Sequence, residues 1–246
     1  ASRGHRVELW ERSGILGGHL RRATAVPAMS ELGKFVDWQE RQLEKLQVVI
    51  RRDREAKPED IAAVEADAII VATGSRPHAV PVPGAGAIPV LTPTDVFEGR
   101  AAKADVAVVW DEAGLMGAIG PAEMLAAAGA TVHLVTSSFM IGEDLDHVRR
   151  VPVYQRLVAA GCRFHPNRKV ARAEGRDVVL AGSYGGPDER IAAVDLIVGW
   201  HGRRAEDGLA AALAARGGEV HWIGDAVSPR KVDIAMAEGA LVGRAV

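Results

Sequence analysis

Seven short apolar runs punctuate the chain: Val7–Trp10, Ala68–Ala72, Val106–Trp110, Thr131–Thr136, Val178–Ala181, Leu196–Gly199 and Val220–Ile223. They are rich in Val and Ile and lack clean apolar–polar alternation, which predicts strands covered on both faces. Helical spacing lies between several of them. Ser30–Val49 carries leucines and charges at helical intervals, with Ser30 placed to cap it. Pro121–Ala128 opens on a proline suited to a first helical turn and stops before Gly129. Val153–Ala160 stops before Gly161, and Asp233–Val246 reads as a long apolar helix of small residues. Strands alternating with helices predict an α/β fold, a parallel sheet flanked by helices.

Two stretches break the pattern. Residues 74–90 are dense in Pro and Gly, and 199–208 form a second such crossing; both predict irregular chain. The interval 102–198 begins with its own strand–helix–strand start. The pattern therefore predicts two Rossmann-like, three-layer domains, one inserted in the other. The outer one is built from residues 1–101 and 199–246, and the inner one from 102–198.

Composition narrows the function classes. A chain of 246 residues is long enough for two real cores. With 30 Lys and Arg against 32 Asp and Glu there is no basic excess to track phosphates, so no nucleic-acid partner is expected. The apolar runs are strand-sized, so no bilayer span is expected. Arg3, His5 and Arg6 lead into a strand rather than a signal-type apolar region. Cys162 stands alone, which excludes an internal disulfide, a CxxC pair and a cysteine-ligated cluster within these residues. A reducing cytoplasm is the expected setting. The eight histidines show no metal-ligand spacing, and no nucleophile–base constellation stands out. No catalytic or metal-binding residue is therefore expected here. Arg149-Arg150 and Arg203-Arg204 read as solvated faces, and Ser228–Lys231 as a basic loop.

Three motifs carry chemistry jointly. In "VELWERSGILGGHL", Glu11 ends a strand, where a carboxylate accepts hydrogen bonds from an adenosine ribose, and Gly17-Gly18 permit close backbone approach. Alone, this is also an exposed Glu before an ordinary turn. In "ADAIIVATGSRP", a strand runs into Ala72-Thr73-Gly74, small enough for the chain to pass under a flat cofactor. In "VHWIGDAVSPR", Gly224-Asp225 follow a strand end, placing Asp225 to bind a ribityl hydroxyl or to cap a helix. The order of the three is more specific than any one of them.

A fourth stretch, "VAVVWDEAGLMGAIGPAEMLAAAGATVHLV", has the shape of a second dinucleotide unit. Asp111 and Glu112 stand where a phosphate loop would begin with glycine, and Gly114, Gly117 and Gly120 lack GxGxxG spacing. A carboxylate about 5 Å from a pyrophosphate costs several kcal/mol at intermediate dielectric. The next strand ends in Thr136-Ser137-Ser138, with neither a ribose-binding acid nor an arginine for a 2′-phosphate. This unit reads as a scaffold that has lost NAD(P)H binding, the alternative being a working but unusual NAD site.

Together, "LWERSGILGGHL", "IIVATGSRP", "VVWDEAGLMG" and "WIGDAVSPR" resemble the C-terminal region of the trimethylamine dehydrogenase and 2,4-dienoyl-CoA reductase flavoproteins, which are related to old yellow enzyme. The resemblance covers essentially the whole chain. It implies that an N-terminal barrel carrying FMN and a [4Fe-4S] cluster performs catalysis, while this region binds FAD or ADP. Glu11 and Arg12 would lie at the ribose, Gly17, Gly18, His19 and Leu20 with Ala72, Thr73 and Gly74 would line the nucleotide site, and Gly224 and Asp225 would sit near the ribityl or diphosphate. The acidic start of the second unit matches the amine or N-methyl dehydrogenase and demethylase branch. The alternatives are an NAD(P)H-oxidising reductase region and a non-catalytic ADP-binding scaffold. A homo-oligomeric parent and an electron-transfer protein partner are also implied. By the same resemblance the first strand and its glycine loop are missing, so these residues alone are expected to be inactive and to have negligible FAD or ADP affinity.

Overall fold

The computed structural model describes residues 1–114, 116–214 and 218–246. The chain forms two compact units: residues 1–24, 29–76 and 203–246, and residues 25–28 with 77–202. Residues 77–101 thus group with the second unit, not the first, because Val90–Leu91 pairs in parallel with Leu196–Trp200 inside the second unit's sheet. Among the described residues no helix is long and apolar enough to cross a membrane.

The first unit holds two separate parallel strand pairs. Glu8–Trp10 runs beside Val49–Arg51, and Ala68–Val71 beside Glu219–Trp222. Its helices are Gly18–Ala23, Leu32–Lys45, Pro58–Ala62, Gly208–Ala214 and Val232–Ala245. Ser30 does not cap the long helix; a 3-10 turn at Pro27–Met29 comes first and the helix begins at Leu32. It ends at Lys45, four residues before the predicted Val49, so that Val49 enters a strand. Ile61, Val71 and Leu213 form a small buried cluster, with Trp10, Ile69 and Val220 packed on it. The C-terminal helix Val232–Ala245 has no buried residue, and its Met236 and Leu241 are exposed.

The second unit is built on a five-stranded parallel sheet in the order Val90–Leu91, Leu196–Trp200, Val106–Asp111, Thr131–Thr136, Arg163–His165. Alternate residues of one strand serve opposite faces, as the period of two requires. Ala107 and Val109 join the core against the helix Met116–Ala127, while Val108 and Trp110 join the core on the other face. That other face is covered not by helices but by a three-stranded antiparallel sheet, Arg168–Glu174, Asp177–Gly182 and Glu189–Ile191. Val178–Ala181 belongs to this covering sheet; its neighbour strand alternates charged and small residues, and Gly175 makes the turn at φ 64°. Pro121 lies inside its helix rather than at its first turn, removing the bond that would end on the Gly117 carbonyl. The helix Met116–Ala127 also passes close under its neighbours at Gly120, where a Cβ would lie 2.9 Å from Val26. The helix His147–Ala159 starts six residues before Val153, capped by Asp146, whose side chain accepts from Arg149 N at 2.9 Å.

A histidine pair on neighbouring strands of the parallel sheet reaches the covering sheet through Glu189. His133 Nδ1 lies 3.0 Å from His165 Nε2, and His165 Nδ1 lies 3.2 Å from Glu189 Oε2. A carboxylate only accepts, so His165 Nδ1 donates to Glu189. Burial first, then the neighbouring His165 and Arg163, push the His133 pKa down to about 4.

Candidate functional site

The first unit gathers polar groups where its parallel strands end. Ala68–Val71 and Glu219–Trp222 pair in register, Val71 opposite Trp222, so the loops that follow leave from one end. Such carboxyl ends are where open α/β sheets bind ligands. From the first loop comes Ser75, from the second Asp225, and Ser75 links Asp225 to Arg203. Arg203 Nε donates to Ser75 Oγ at 2.7 Å, and Ser75 Oγ donates to Asp225 Oδ2 at 2.7 Å. A second guanidinium nitrogen of Arg203 donates to the Ser75 carbonyl at 2.7 Å. Asp225 Oδ1 accepts from Arg230 N at 3.1 Å, which fixes the carboxylate from both sides.

His19 completes the cluster. Its Nε2 lies 2.8 Å from the Ser75 carbonyl and also touches the Arg203 guanidinium. Arg22 lies 3.5 Å from its Nδ1. Burial, then Arg203, hold the His19 pKa below its ordinary value, so the ring is neutral at pH 7. Burial also lowers the Arg203 pKa to about 10, against the pull of Asp225. Within this cluster the Arg203 guanidinium is linked to the Asp225 carboxylate through the Ser75 hydroxyl.

The remaining sequence candidates divide. Gly17 caps the short helix with φ 105°, and a Cβ there would sit 2.5 Å from Val36, so this glycine is needed for packing. Gly18 (φ 51°) and Gly74 (φ 79°) face open space, leaving backbone accessible to a ligand. Gly224 takes φ 63° and its N–H donates to Glu238 at 2.7 Å. Thr73 Oγ1 donates to the Glu206 carbonyl at 2.6 Å, Ala72 is exposed, and Leu20 is half-buried in its helix. Glu11 turns back on its own loop, accepting from Ser13 N at 2.8 Å and Ser13 Oγ at 2.9 Å, and Arg12 is exposed. The structure thus brings His19 and Asp225 together and leaves Glu11 engaged with Ser13.

Sequence reasoning missed Ser75, and it misread Arg203 as a solvated face. Arg203 is half-buried because Ser75 and Asp225 draw it inward. The available signal was its position just after Gly202, in a glycine-rich crossing behind a strand end. Among the described residues no group of His, Cys, Asp and Glu could hold a metal ion.

The family described as pyridine nucleotide-disulphide oxidoreductase matches residues 18–237. The chain is 32% identical to an NADH oxidase of Thermoanaerobacter brockii, over 97% of this chain and 37% of that protein. It is 28% identical to a dimethylamine dehydrogenase of Hyphomicrobium sp. (strain x), over 99% of this chain and 39% of that protein. A solved histamine dehydrogenase from Rhizobium sp. 4-9 superposes with a TM-score of 0.88 at 28% identity, covering 98% of this chain and 40% of that one. The chain therefore spans well under half the length of these relatives.

Proposed function

The chain belongs to the pyridine nucleotide-disulphide oxidoreductase family, and we propose that it is the cofactor-binding region of a flavin-dependent oxidoreductase acting on an amine or N-methyl substrate. Its first unit would hold FAD or ADP. The observation that carries this reading is the Arg203–Ser75–Asp225 chain with His19 beside it, at strand ends flanked by the open glycines Gly18 and Gly74. Asp225 would accept a sugar or ribityl hydroxyl, and Arg203 would meet the anionic part. Neutral His19 would contribute a ring face and a single hydrogen-bonding nitrogen. An FAD bound there supplies two-electron and one-electron transfer chemistry; an ADP supplies none. Similarity to a dimethylamine dehydrogenase and a histamine dehydrogenase supports an amine as the parent substrate. Catalysis, FMN and an iron–sulfur cluster would then lie outside these residues, on a barrel of the parent.

The second reading, an NAD(P)H-oxidising region, draws on the similarity to an NADH oxidase. The test of the first reading is a titration of the chain with ADP and with FAD, followed by backbone amide NMR. The sugar-side contacts predict weak binding, with Kd on the order of 1 mM. Gly18, Gly74 and Gly224 amides should shift, and Arg203→Ala should abolish the response. Silence at all three amides with millimolar ADP would overturn the proposal.

A further inference from the structure

The second unit has the strand–turn–helix in which dinucleotide folds seat a pyrophosphate at the helix N-terminus. Three features occupy that seat from within. Asp111 ends the central strand and is 1% exposed. Its Oδ1 accepts from Ala113 N at 3.2 Å and from Gly114 N at 2.7 Å. Those turn N–H groups are the donors that such a loop would offer to a phosphate. The carboxylate therefore takes the anion's place, covalently tethered and already desolvated.

The second feature is Trp200, which pairs with Asp111 across the sheet register. Its indole Nε1 donates to the Gly114 carbonyl at 2.8 Å. A Cβ on Gly117 would lie 2.1 Å from Trp200 Cε2, so the indole rests on the bare backbone of the first helical turn. Glycine there admits the protein's own side chain rather than a ligand. Third, Glu112 is held in place by Trp110 Nε1 at 2.6 Å and by Ser137 Oγ. The adjoining cavity of about 320 Å³ is lined by Asp111, Glu112, Glu143 and Asp144, with no Lys or Arg among its described lining residues. An anionic ligand entering it would meet only negative charge.

We propose that the second unit keeps the dinucleotide fold but takes no nicotinamide dinucleotide, its phosphate cradle being filled by Asp111 and roofed by Trp200. Nucleotide binding by the chain is then confined to the first unit. This inference stands apart from the identity of the first unit's cofactor, and it sets the chain against what the name of its NADH oxidase relative suggests.

The test is an amide and indole NMR titration of the whole chain with NADH and, separately, NADPH, into the millimolar range. Trp200→Phe identifies the Trp200 indole resonance by its loss. The expected result is that the Gly114 and Gly142 amides and the Trp200 indole N–H do not move. The indole N–H should also exchange slowly with solvent, as one bonded to the Gly114 carbonyl must. A saturable shift at any of these positions with either nucleotide would overturn the proposal, and so would a freely exchanging indole. A response confined to Gly18, Gly74 and Gly224 counts in its favour, and reports separately on the first unit.

Discussion

Both units end parallel strands in turns of the kind that seek an anion, and they equip those turns differently. In the first, Arg203 reaches through Ser75 to Asp225, so a guanidinium and a carboxylate stand at the strand ends. In the second, Asp111 satisfies the turn's N–H groups itself and Trp200 lies on its glycine. Related architecture therefore carries no fixed ligand; the side chain at the strand tip decides. The packing differs as well. The second unit buries Leu134 on one sheet face and Val135 on the other, whereas the first unit leaves Trp38, Met236 and Leu241 exposed.

The largest effect expected from testing this contrast is in the cores. Leu134→Ala removes a fully buried side chain and should cost about 2–5 kcal/mol, whereas Leu241→Ala, at an exposed position, should stay within about 0.5 kcal/mol. Urea unfolding of both variants measures the difference, and equal losses would erase the contrast.

Next comes acid stability, where two buried groups oppose each other. Burial raises the Asp111 pKa to about 6, so the folded chain holds a proton that the unfolded chain has lost. Its contribution therefore falls as pH rises between about 4 and 6. His133 is the reverse: with a folded pKa of about 4, the unfolded chain takes the proton first, and stability is lost as pH falls from about 6.5 to 4. Each amounts to roughly 2–3 kcal/mol at most. Asp111→Asn should leave the His133 slope bare, with stability rising across this window; His133→Phe should leave the opposite slope. Urea midpoints measured across the window would show the two signs, and parallel slopes would refute the assignment.

Smaller effects separate the glycines and the arginine of the first unit. Arg203→Lys keeps the charge but loses the fork that engages Ser75 twice, and should cost about 1–2 kcal/mol and most of any ADP response. Gly18→Ala, with open space at φ 51°, should cost about 1 kcal/mol, and Gly17→Ala should cost more because its Cβ meets Val36. Thermal melts rank the pair, and equal losses would mean that the Val36 contact relaxes freely.

Much of this was legible from residues alone. Central strands such as Val106–Asp111 announce themselves because both faces are buried and every position before Asp111 is apolar. The covering sheet at Arg168–Glu174 was not, because strands buried on one face interleave arginines that imitate loop or helix. Pro121 misled because a proline marks first turns, yet here it is tolerated deep in a helix. Asp225 and His19 were visible by their place after strand ends and glycines. Arg203 was not, since a pair of arginines looks solvated until Ser75, 128 residues away, closes on it. Asp111 was legible as an obstacle to phosphate; that it also satisfies the loop's N–H groups needed coordinates.

The filled cradle bears on how this lineage can change. Replacing Asp111 alone would strip the turn of its acceptor and leave the indole in the way. Removing Trp200 alone would vacate the space over Gly117 and leave the Asp111 carboxylate on the turn's N–H groups. A nucleotide site at this turn would therefore need both side chains changed together.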